Sequence, residues 1–173
     1  VNVDDKQFPF KTVAGVISKA KEKLLTPEAF AMESGGYREQ VYAKVYTEYQ
    51  RMLKSSNAMD FDDIIMQTVT LLRENDDVRS YYAHKFRYVC IDEYQDTNLA
   101  QFELCALFAS EWRNIMVVGD DDQSIYRFRG ATIENILSFD RHYADAKVIK
   151  LEQNYRSTST ILSAANAVIS KNE

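Results

Sequence analysis

Three short apolar runs, Phe86 to Ile91, Ile115 to Val118 and Val148 to Leu151, punctuate the second half of the sequence, with stretches of helical character between them. Strand, helix, strand, helix is the pattern of crossover connections, which build a parallel sheet covered by helices on its faces. The expected fold class is therefore α/β. The intervening helices are expected over Asn98 to Ala109, near Thr132 to Phe139, and after a Ser157 cap, with Ile161, Leu162, Ala165, Val168 and Ile169 inward. The first run ends in Asp92-Glu93 and the second in Gly119-Asp120-Asp121-Asp122-Gln123. Carboxyl ends of parallel strands are where open α/β sheets bind ligands, so polar groups at two such exits converge on one edge.

The first half reads differently, as helices without strands. Thr12 to Leu25 has helical character, Thr26-Pro27-Glu28 places a capping hydroxyl before a proline at the first helical position, and Gly35-Gly36 interrupts. From Tyr37 to Lys54, Tyr42, Val45, Tyr46, Tyr49, Met52 and Leu53 recur at the spacing of one buried face. A second such helix is expected after Asp60, with Asp63 completing a capping pair and Phe61, Ile64, Ile65, Thr68, Leu71 and Leu72 inward. Acidic residues suit a helix N-terminus, so Asp60, Asp62 and Asp63 have a structural role before any metal is invoked.

Composition narrows the function classes. A chain of 173 residues with 46% hydrophobic and 27% charged residues, 5 Gly and 2 Pro is expected to fold rather than remain disordered. Its net charge of -5 argues against binding nucleic acid by general phosphate attraction, so any such contact must be local. Nothing approaches the ~20 apolar residues of a membrane span, and no basic and apolar leader opens the chain. Cys90 and Cys105 lack metal-type spacing and are expected to be buried, reduced thiols, which suggests a cytoplasmic protein. His84 and His142 are isolated in the sequence and are expected to face solvent. A first residue Val1 and an end at Glu173 directly after a helical pattern suggest a piece of something longer.

The residue types at the strand exits suit nucleotide hydrolysis. A strand-end Asp can hold Mg²⁺ while a neighbouring Glu orients and deprotonates water, although an acid pair after a strand also serves as turn or cap chemistry. Gln123 is able to hydrogen-bond a phosphate oxygen or that water without adding charge, and Gly119 permits a tight exit from the strand. Next, Ser124-Ile125-Tyr126-Arg127-Phe128-Arg129-Gly130 interleaves rings and guanidinium groups, as suits stacked bases and phosphates of a single strand. Its rings suit core packing equally well. Glu152-Gln153-Asn154-Tyr155-Arg156-Ser157 brings an arginine to a helix entrance, where it can reach a terminal phosphate or simply face water.

In this order the strings resemble the superfamily 1 helicases of the UvrD/Rep/PcrA group. Asp92-Glu93-Tyr94-Gln95-Asp96-Thr97-Asn98 is similar to motif II, Val118 to Ala131 to motif III, and Leu151 to Ser157 to motif IV. Met59-Asp60-Phe61-Asp62-Asp63 resembles a short family segment whose Phe borders the DNA-base pockets. The resemblance implies Mg²⁺ binding by Asp92, water activation by Glu93, γ-phosphate sensing by Gln123, adenine stacking by Tyr155 and γ-phosphate contact by Arg156. Phe61, Tyr126, Phe128 and Arg129 would be DNA-side residues. It also implies a helical subdomain over 1–85 resembling 1B, part of a RecA-like (P-loop NTPase) parallel sheet with flanking helices over 86–152, and the start of domain 2A over 153–173. ATP and Mg²⁺ are the implied cofactors; single-stranded and duplex DNA are the implied partners.

Two departures stand out: Phe128 where the family often has Trp, and Asp122 rather than the Lys of helicase-nuclease relatives, which favours the UvrD/Rep/PcrA branch. No GxxxxGK[ST] string is present, so the phosphate-cradling loop is missing and this chain alone is expected not to hydrolyse ATP. A core lacking its first strands is expected to expose a sheet edge and apolar surface and to self-associate. Rival readings are a non-catalytic DNA-binding or partner-docking module, and a metal-dependent phosphohydrolase or nuclease built on Asp92, Glu93 and Asp120 to Asp122, which lacks His ligands and a second metal cage.

Overall fold

In a computed structural model, residues 4–123, 132 and 134–171 are described. Five helices come first: α1 (Phe10–Glu22), α2 (Pro27–Glu33), α3 (Tyr37–Ser55), α4 (Phe61–Glu74) and α5 (Asp76–Lys85). Strand β1 (Val89–Ile91), helix α6 (Leu99–Phe108) and strand β2 (Ile115–Val117) follow. Two short helices, α7 (Glu134–Leu137) and α8 (Phe139–His142), precede α9 (Ser159–Ile169).

Local chemistry explains the boundaries. The Thr26 hydroxyl accepts from the Ala29 amide at the head of α2, with Pro27 at its first position. Asp60 and Asp63 form the expected reciprocal capping box on α4, and Asn98 and Gln101 form another on α6. Gly36 caps α3 while Glu39 reaches back to its amide at 2.7 Å. Helix α5 was not anticipated, because its apolar residues are few and only Ala83 among them is buried.

One core forms where α1, α3 and the loop before α1 meet, around Phe8, Val13, Ile17, Ala20, Tyr42 and Tyr46. Phe8 meets Tyr42 edge-on with ring centroids 5.7 Å apart, and the Tyr46 hydroxyl donates to the Leu25 carbonyl at 3.0 Å. The tyrosine stripe is thus packing, as expected. Helix α4 uses a face turned from the expected one: Asp63, Met66, Val69 and Leu72 are buried, while Phe61, Ile64 and Leu71 are exposed. The capping box and a buried lysine fix this rotation, since they require Asp63 inside. Helix α4 packs against α6, joined by Arg73 and Glu103 at 2.7 Å.

β1 and β2 pair in parallel, with Val89 beside Ile115, Cys90 beside Met116 and Ile91 beside Val117, and α6 connects them. Cys90 and Met116 are both exposed, so one face of the two-stranded sheet is open, against the expectation of a buried Cys90. Cys105 is half-buried, and burial pushes its thiol above the usual range. The third apolar run is a correction: residues 148–151 form no strand, and Val148, Ile149 and Leu151 are exposed. A strand needs hydrogen-bonding neighbours, and among the described residues this run has none. Likewise the expected helix near 132–139 is broken into α7 and α8, Thr158 rather than Ser157 is the N-cap of α9, and the expected inward face of α9 is not buried, with Ile161, Ala165 and Val168 exposed. Among the described residues no helix is long and apolar enough to cross a membrane.

Candidate functional site

The parallel pairing delivers the ends of β1 and β2 side by side. The Val118 amide donates to the Ile91 carbonyl at 2.8 Å, and the Tyr94 amide donates to the Val118 carbonyl at 2.9 Å, so the two exits are laced together. β1 then turns through Glu93, which adopts a left-handed conformation, φ 50° and ψ 41°, before a single 3₁₀ turn over Tyr94–Asp96. Such a conformation costs a non-glycine residue on the order of 1–3 kcal/mol and needs surrounding structure to hold it. Buried Tyr94 supplies much of that hold: its ring meets Phe139 edge-on at 5.7 Å, and burial raises its hydroxyl pKa.

Asp92 and Glu93 are exposed at this edge. Asp92 Oδ1 accepts from the Glu93 amide at 2.9 Å, leaving Oδ2 without a hydrogen-bond partner among the described residues. Glu93 Oε2 accepts from Gln95 Nε2 at 2.8 Å. Gln95 is 1% exposed, and its Oε1 accepts from the Asp120 amide at 3.1 Å at the end of β2. Asp120 Oδ2 accepts in turn from Gln123 Nε2 at 2.7 Å. A line of hydrogen bonds therefore runs Glu93, Gln95, Asp120, Gln123 and spans both exits.

Gly119 is required for that line. A Cβ there would stand 2.6 Å from Gln95 Oε1 and 2.7 Å from Ile136 Cδ1, so the reason for glycine is close approach rather than an unusual backbone angle. Behind the turn, buried Asn135 on α7 donates to the Thr97 carbonyl and hydroxyl, both at 3.1 Å, and Thr97 donates to the Tyr94 carbonyl at 2.7 Å. Sequence reasoning missed Gln95, Thr97 and Asn135. A polar side chain within a turn, or on a helix of one turn such as α7, carries no periodic signal of burial.

Asp92, Glu93 and Gln123 thus share one edge, while among the described residues no hydrogen bond or ion pair joins Tyr155 or Arg156 to it. Tyr155 is 92% exposed, and Arg156 is exposed with its amide bonded to Asn154 Oδ1 at 2.9 Å. Tyr126, Phe128 and Arg129 lie outside the described residues. Phe61, 89% exposed, stands at the head of α4. Both histidines are exposed as expected, but His84 is not isolated: its Nδ1 lies 2.8 Å from Glu111 Oε1.

No group of three or more His, Cys, Asp or Glu side chains that could hold a metal exists among the described residues. The carboxylates at the edge suit an ion that takes one or two of them and draws its other ligands from water and phosphate, as Mg²⁺ does. The available Oδ2 of Asp92 fits that need.

Comparison with known proteins identifies the family. The chain is 51% identical over 171 residues to the ATP-dependent DNA helicase PcrA of Bacillus subtilis, and 52% and 50% identical over the same length to the PcrA helicases of Staphylococcus aureus strain Mu50 and Staphylococcus epidermidis. Each match covers 99% of this chain but only 23–24% of the relative. Residues 1–144 match the family model of the UvrD/REP helicase N-terminal domain, and the chain belongs to the UvrD/Rep helicase family.

Proposed function

We propose that this chain is part of an ATP-dependent DNA helicase, and that its strand exits form half of the nucleotide site of a RecA-like motor domain. The proposed organisation is a helical subdomain over 1–85, a partial RecA-like core over 86–152 and the start of a second such domain over 153–173. The observation that carries the reading is the hydrogen-bonded line from Glu93 to Gln123 across two parallel strand exits.

Bound MgATP supplies the Lewis acid and the phosphoryl group to be transferred. Asp92 would hold the ion through its available oxygen. Glu93, aimed by Gln95, accepts the proton of the attacking water. Gln123 exchanges its bond to Asp120 for one to the γ-phosphate oxygen or to that water, and so reports phosphate occupancy to the segment that follows. That segment carries Tyr126, Phe128 and Arg129, the proposed DNA-side residues, with Phe61 on α4 as another. Tyr155 would stack on adenine and Arg156 would meet the γ-phosphate across the face of a second domain, in keeping with their exposure here.

The open sheet face at Cys90 and Met116 suits a core that other segments complete, and exposed alone it favours self-association. Without a phosphate-binding loop the isolated chain is inactive. Gln123→Ala in the full-length helicase should abolish the stimulation of ATP hydrolysis by single-stranded DNA while leaving DNA binding intact. Normal stimulation would refute the assignment.

A further inference from the structure

The head of α4 is held by tethers that ordinary helix capping does not require. Lys21 Nζ, with none of its side chain exposed, lies 2.7 Å from Asp60 Oδ2 and 2.8 Å from Asp63 Oδ1. The Tyr49 hydroxyl donates to the same Asp60 oxygen at 2.9 Å, and Gln50 Nε2 donates to Asp63 Oδ1 at 3.0 Å. Ser18 Oγ donates to Asp62 Oδ2 at 2.7 Å. Asp60, Asp62 and Asp63 are therefore each bonded to α1, α3 or both, and Phe61, the residue among them, is turned out into solvent.

Net stability is weak grounds for the arrangement, since a buried ion pair is commonly no better than well-packed apolar side chains of the same volume. What three tethered carboxylates add is a fixed direction for the first turn of α4. An exposed ring has no packing of its own to orient it, so its aim is set by the backbone on which it stands.

We propose that Lys21, with Asp60 and Asp63, is a mount that pre-aims Phe61 for stacking on a base of single-stranded DNA, which makes these three positioning residues. The inference rests on the reading of Phe61 as a DNA-side residue. A pre-aimed ring loses less freedom on binding than a mobile one, so the mount acts on affinity through Phe61 alone.

A double-mutant cycle in the full-length helicase tests it, with the dissociation constant for a fluorescent single-stranded oligodeoxynucleotide read by anisotropy. Asp60→Asn is the variant of choice, since asparagine still caps a helix while the charge facing Lys21 is lost; Lys21→Met risks unfolding. Phe61→Ala should weaken binding about ten-fold, the scale of one lost stacked base. Asp60→Asn should weaken it about three-fold alone and not at all in the Phe61→Ala background, with the salt dependence unchanged because no phosphate contact is lost. Equal three-fold losses in both backgrounds, or none in either, would overturn the mount while leaving the role of Phe61 standing. An unaffected Phe61→Ala protein would overturn that role, and the mount with it.

Discussion

Lys21→Met tests the energetics of the same cluster in the 173-residue chain. The substitution removes the cation but leaves two carboxylates, and their exposures decide the cost: the Asp60 side chain is 25% exposed and can rehydrate, whereas that of Asp63 is 1% exposed and cannot. Breaking a buried pair by removing one partner costs about 3–5 kcal/mol. Relief at Asp60 places the expected loss near the lower end, at about 3 kcal/mol. With a urea slope of about 2 kcal/mol per molar, the unfolding midpoint followed by circular dichroism should fall by roughly 1.5 M at pH 7.

The pH dependence has a definite sign. In the wild type, burial raises the Asp60 pKa, but bonds from Lys21, the Asp63 amide and Tyr49 outweigh it and hold the group below its ordinary value. The stability this contributes is present in full above the unfolded pKa, ~3.9, and is lost as pH falls through the lower folded value. The part of the gap that Asp60 carries should therefore be present in full at neutral pH and shrink below about pH 4. A loss under about 1 kcal/mol, typical of a surface pair, or one unchanged between pH 7 and pH 3, would refute the reasoning.

Gly119→Ala should cost about 1–3 kcal/mol through the clash with Gln95 and Ile136, and part of that loss should be recovered when Gln95→Ala is added; additive losses by urea unfolding would contradict the close-approach explanation. Glu22→Gln should stabilise the chain by a few tenths of a kcal/mol at neutral pH, because Glu22 Oε2 is buried without a partner and burial and Asp62 raise its pKa against the opposing pull of Lys19. A raised pKa favours folding only when the group is protonated, so the gain should vanish in acid; a gain that persists there would count against the account.

Much of this was legible in the sequence because it is local. Capping pairs such as Asp60 with Asp63 and Asn98 with Gln101 are decided within one turn, and the helical rhythm of α3 names its buried tyrosines before any fold is known. The strand exits at Asp92 and Gly119 followed from short apolar runs and the polar residues after them. Lys21 continues the Val13, Ile17, Ala20 face of α1, so its spacing already puts a charge on the buried side.

Tertiary structure alone decided the rest. Whether residues 148–151 become a strand depends on a neighbour to bond with, which no local pattern supplies. The rotation of α4 that exposes Phe61 was set by Lys21, thirty-nine residues away from Asp60. Gln95 became the bridge between Glu93 and Asp120 because pairing in parallel brought two strand ends within the length of one side chain. Sequence determines what each segment can satisfy by itself; the groups it cannot satisfy find their partners through space, and those partnerships fix the geometry at the strand exits.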